Sequence, residues 1–166
     1  MKKKVVILLA GVFVAASLLW LASPPRATAN QPTGSFTISP PNTAEQAATG
    51  NTIRVAGSGS FDAVGETVVA SGSFRRFNAA GAMIDHGTWK ATDFVDFDSF
   101  GGPNPGFQGG VLTIEVTLFP TTGPPEPNLT MVVTCCVAAP GPCEEGTTVG
   151  AFTETTGGLT LFHVAP

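Results

Sequence analysis

The residues able to do chemistry are few, and their spacing assembles no familiar site. The chain carries two histidines, His86 and His163, three cysteines and twelve carboxylates. A serine nucleophile needs a base beside it, and no Gly-x-Ser-x-Gly elbow surrounds any serine. Asp85 and His86 are adjacent, so in a strand their side chains leave opposite faces and do not pair. His163 alternates with Leu159 and Leu161, a spacing that turns it toward the face those leucines share. If the chain were an enzyme, Asp93 or His163 would serve as its acid or base.

Metal chemistry is equally sparse. Cys135 and Cys136 with Cys143 lack the C-x-x-C spacing of a zinc site and have no nearby histidine. Asp96 and Asp98 share a strand face and form a partial oxygen pair for calcium. A full calcium loop repeats acidic ligands at alternate positions, and this segment does not, so solvated acids are the expectation, with no metal site. Gly-rich phosphate loops leading into helices are missing, and the sequence calls for no cofactor. Pro140-Gly141-Pro142 is a turn signal that folds Cys143 back beside the preceding strand. Cys135 falls on the apolar face of Leu129, Met131 and Val133, which leaves Cys136 on the other face to meet Cys143. A Cys136–Cys143 disulfide with Cys135 as a buried thiol is the expectation, and the alternative, Cys135–Cys143, would require a bulge that turns Cys135 outward.

The first 29 residues read as an export signal. Lys2, Lys3 and Lys4 precede an uncharged apolar run from Val5 to Ala22, and Ala27-Thr28-Ala29 supplies a small-x-small cleavage site. Cleavage would make Asn30 the first residue of a single domain, 30–166. If the segment is not cleaved, it is an N-terminal membrane anchor, since the apolar run approaches the roughly 20 residues that span a bilayer. Four of the eight basic residues lie in this segment, which leaves four against twelve acidic ones, a formal charge of −8. Arg54, Arg75, Arg76 and Lys90 are too few for a nucleic acid interface, and membrane insertion after cleavage is not expected. The location implied is secreted, or periplasmic and cell-envelope associated.

Gly and Pro break the remaining sequence so often that ordinary helices have little room. Only 42–48 carries a helical start, Asn42 with Glu45 three positions on and Gly50 beyond, which predicts one short helix near 43–49. The rest alternates with period two. Leu112, Ile114, Val116 and Leu118 share one face, as do Ile53, Val55 and Phe61, then Val68, Ala70 and Phe74, then Trp89, Ala91, Val95 and Phe97. Asp62-Ala63-Val64-Gly65 and Asn78-Ala79-Ala80-Gly81 read as hairpin turns. About eight strands follow, near 33–38, 52–61, 66–77, 83–97, 111–119, 128–137, 146–153 and 159–165. The fold class is all-β, an antiparallel meander closing into a barrel, with a two-sheet sandwich as the alternative.

In that topology the loops 62–65, 98–110 and 138–145 leave one end together. They bring Asp62, Asp96, Asp98, Glu144 and Glu145 near Phe100 and Phe107. Three functions fit. The first is a noncatalytic interaction or envelope-associated module, whose partner is unknown. The second is a carrier whose barrel, lined by Phe61, Phe74, Trp89 and Phe97, holds a small apolar ligand. The third is an enzyme using polar groups inside such a cavity.

Overall fold

The computed structural model describes residues 33–104 and 106–164, so the export signal reading falls outside the described residues. Every element is a strand: β1 (Thr33–Gln46), β2 (Asn51–Asp62), β3 (Thr67–Phe77), β4 (Met83–Asn104), β5 (Phe107–Pro120), β6 (Glu126–Cys135), β7 (Gly146–Val149), β8 (Glu154–Gly157) and β9 (Thr160–Val164). All nine belong to one antiparallel sheet rather than to two facing ones. Strands β1 to β5 pair in chain order, and β9 pairs with β1 and touches β5 where Gln108 faces Phe162, so six strands form a ring.

The expected short helix is not present. Residues Asn42–Gln46 complete β1, and 47–50 form a turn in which Thr49 and Gly50 donate their N–H groups to the Gln46 carbonyl. Asn42 and Ala44 alternate inward and are fully buried, so pairing with β2 and β8 overrides a local capping signal worth about 1 kcal/mol. The segment 146–153 also differs from expectation. It holds β7 and then a turn at Gly150 (φ 54), with Val149 and Phe152 exchanging backbone hydrogen bonds before β8 begins. That turn supplies the ninth strand.

The predicted faces of β2, β3, β5 and β6 hold, but β4 deviates. Ladder register shifts between Ala91 and Asp93 and again between Phe94 and Asp96 insert one residue each. The inward set therefore becomes Trp89, Ala91, Phe94 and Phe97, and Val95 is 52% exposed. Strand β9 departs as well: Thr160, Phe162 and Val164 face inward, and His163 faces out with Leu161 only partly covered.

The interior is packed with rings. Phe61 and Phe97 lie 4.6 Å apart, and Phe162 stands edge-on to both at 6.2 and 5.3 Å, with Phe36 beyond it. Trp89 is fully buried and donates its indole N–H to the Ala56 carbonyl at 3.0 Å. Gly57 and Gly72 face each other across β2 and β3, and a Cβ at either would stand 2.5 Å from the indole. Their absent side chains are the space Trp89 occupies.

A polar knot fastens β7 and the start of β9 to β1 and forms a seam there. Asn42 Nδ2 donates to Thr147 Oγ1 on β7 and to Thr160 Oγ1 on β9, both at 2.9 Å, and its Oδ1 accepts the Leu159 N–H at 2.8 Å. All three side chains in the knot are completely buried. Asn42→Ala leaves two buried hydroxyls and one partly buried N–H without their partner, so we expect a loss of about 2–4 kcal/mol and a Tm fall of roughly 10 °C by thermal unfolding.

Candidate interaction surface

Chain direction brings the end of β2, the β4–β5 connection and the segment joining β6 to β7 to one end of the ring. Cys136 and Cys143 sit at disulfide distance, S–S 2.08 Å, and tie the connecting segment back to the end of β6. Cys135 is a buried free thiol facing inward, and burial pushes its pKa up, which leaves it unreactive. Between the tied segment and the outer face of the sheet lies an open groove of about 480 Å³, walled by Phe100, Val111, Thr134, Pro140 and Cys143, with Glu144 at its rim. Asp98 pairs with Val111 in the ladder and so flanks the same groove. Phe107 packs edge-on to His163 at 5.7 Å near this end.

The acidic residues expected here separate by role. Asp62 Oδ1 accepts the N–H groups of Val64 and Gly65 and shapes the β2–β3 turn. Glu145 accepts the Thr160 N–H at 2.8 Å and serves the seam. Asp96 accepts the N–H of Phe97 at 2.8 Å, one residue after a register shift. Asp96 and Asp98 are both exposed, and among the described residues no three His, Cys, Asp or Glu side chains gather as metal ligands. Asp93, also exposed, accepts the Phe94 N–H in the same way. Asp93 and His163 lie on β4 and β9, separated by β5, and both face outward.

The aromatic candidates Phe61, Phe74, Trp89 and Phe97 all point inward, each no more than 2% exposed, and belong to one hydrophobic core cluster in which Phe61 and Phe97 are in ring contact. Among the described residues no helix is long and apolar enough to cross a membrane.

No family model, curated protein or solved structure matches the chain. Its chemistry therefore rests on its own geometry.

One ionic cluster escaped the reading of the sequence. Arg76 shares the inward face of Phe74, and at the end opposite the groove it meets Glu126 of β6 through both guanidinium nitrogens, at 2.7 and 2.5 Å, with Asp85 at 3.7 Å. Its guanidinium also stands 5.2 Å over Phe74 and 5.8 Å over Phe152. Period-two alternation from Phe74 was the signal that placed it inside. The Nε atom is buried without a partner among the described residues. The hydrogen bond from Arg76 holds the Glu126 carboxyl below its usual 4.5. The same bond raises the Arg76 pKa against the opposing effect of burial.

Because the folded pKa of Glu126 is depressed, the pair stabilises the fold above pH 4.5 and that stability is lost as pH falls through the lower folded value. Glu126 is 37% exposed, so screening limits its contribution to about 1 kcal/mol. Glu126→Gln should lower Tm at pH 7, and the gap from wild type should close in melts run progressively below pH 4.5.

Proposed function

We propose that the chain is an exported, noncatalytic interaction module whose contact surface is the groove held by Cys136 and Cys143. In this reading residues 1–29 direct export, the six-strand ring is a small closed barrel acting as a rigid frame, and the disulfide marks an oxidising destination outside the cytoplasm. The observation that carries the reading is the mutual contact of three aromatic rings at the centre of the core. The rings of Phe61, Phe97 and Phe162 stand 4.6 to 6.2 Å from one another at the centre, where a carrier would hold its cargo.

With these rings in contact at the centre, the reading places recognition on the outside. The groove offers an apolar floor in Phe100 and Val111 and carboxylates in Glu144 and Asp98. That combination suits an extended segment of a partner carrying an apolar side chain next to a cationic one. The disulfide removes freedom from the segment that walls the groove, which lowers the ordering cost of binding.

The carrier remains the alternative because its four aromatic candidates do line the inner face. The enzyme reading is weaker, since Asp93 and His163 face outward on strands that do not pair. The test uses protein purified from its own host, with a photoreactive p-benzoylphenylalanine at position 100 and a control at Val69, which is 76% exposed on β3. Crosslinking at position 100 to a second macromolecule, with none at position 69, is the expected result. A stoichiometric small apolar ligand in native mass spectrometry of the unmodified protein would replace this reading with the carrier.

A further inference from the structure

Among the described residues the chain has four lysine and arginine side chains, and only Arg76 belongs to the inward ionic cluster. Arg54, Arg75 and Lys90 are exposed on the outer face of β2, β3 and β4, and the ladder register arranges them. Arg54 stands opposite Arg75, and Arg75 stands opposite His86, also exposed. Two cations and an imidazole therefore form one row across three neighbouring strands, spanning two strand spacings, about 10 Å. Lys90 lies four residues along β4 on the same face.

Like charges directly opposite each other in a ladder cost stability. No ion pair relieves Arg54, Arg75 or Lys90 among the described residues, although twelve carboxylates are present there. The nearest in register are diagonal: Glu45, whose partner Thr52 is two residues from Arg54, and Glu115, two residues along β5 from the partner of Lys90. Meanwhile the Arg54 guanidinium rests over the Phe77 ring, 4.7 Å from its centroid, which fixes the fork beside Arg75.

We propose that this row binds the carboxylate or sulfate groups of an acidic polysaccharide chain lying across β2, β3 and β4. Planar arginine forks match such anions through paired, charge-assisted hydrogen bonds. Exposed hydroxyls of Ser71, Ser73 and Thr88 surround the row and suit sugar hydroxyls. Phe119, opposite Thr88 and 42% exposed, offers a face for a sugar ring. Further along the same outer face β4 carries Asp93, Asp96 and Asp98, all exposed. A broad anionic surface such as a bilayer would meet these carboxylates, whereas a single polymer strand following the row meets Arg54, Arg75 and His86 and bypasses Asp93, Asp96 and Asp98.

This surface lies toward the end of the ring opposite the groove, so it goes beyond the proposed module's groove and fails or succeeds independently of it.

The test is calorimetric titration of the purified protein at about 50 mM salt, where screening is modest, with polygalacturonate, dextran sulfate and uncharged dextran. Binding to at least one acidic polymer and none to dextran is expected, the preferred polymer assigning carboxylate or sulfate. Arg54→Gln with Arg75→Gln should weaken that binding by about tenfold or more. Arg75→Gln alone should weaken it less and leave Tm unchanged or slightly raised, because a like-charge pair is removed. Absence of binding to both acidic polymers, equal affinity in the double variant, or tighter binding to phosphatidylglycerol vesicles than to either polymer would overturn the proposal.

Discussion

A carboxamide cut off from water must be matched by its surroundings, and Asn42 is matched by three separate parts of the chain. Thr147 on β7, Thr160 on β9 and the backbone of Leu159 converge on it with hydrogen bonds of 2.8 to 2.9 Å. Each partner reaches that point from more than a hundred positions away in sequence. The strands before β7 close by ladder pairing, which any suitably twisted meander supplies, whereas β9 meets β5 through one residue pair. The Asn42 hydrogen bonds add side-chain links at the neighbouring junction, fastening β7 and the start of β9 to β1. Leaving any of these polar groups unpaired would cost more than the bond itself returns, which makes the arrangement specific as well as stabilising. Gly158 sits against the Asn42 carboxamide, where a Cβ would collide with it.

The closed seam determines what the interior can do. With β9 held in place, Phe162 projects into the centre and completes the cluster with Phe61 and Phe97. The interior rings thus belong to the packing, and the exterior presents a groove with Phe100 and Glu144 at one end and the row of Arg54, Arg75 and His86 toward the other. Arg76 contributes to the frame by joining β3 to β6 from within, across the end opposite the groove. With Glu126 37% exposed, solvent screens the pair and its contribution is modest.

Much of this was legible in the sequence because period two is a strong signal when glycine and proline forbid helices. The faces of β2, β3, β5 and β6 follow directly from alternation, as does the pairing of Cys136 with Cys143. Alternation failed where the backbone adds residues. Two extra residues in β4 turn its inward spacing to three, exchanging Phe94 for Val95, and no feature of the local composition marks where a bulge will fall. The helical signal at Asn42 failed for a different reason. Asn is favoured at a helix start because its side chain bonds to backbone N–H groups, and here the same capacity is used across a buried seam. Local reading sees the capacity and not the partner. The cationic row was hidden likewise, since Arg54, Arg75 and His86 become neighbours only through register.

The most direct measurement of the role given to Asn42 is amide hydrogen exchange at Leu159. That residue precedes β9 and its N–H is held by the Asn42 side chain, in a residue whose surface is 42% exposed. If the seam depends on this bond, the Leu159 amide exchanges only by opening of the whole fold, as slowly as the amides of β5. Exchange of Leu159 at the rate of an open loop, while the β5 amides stay protected, would contradict the account.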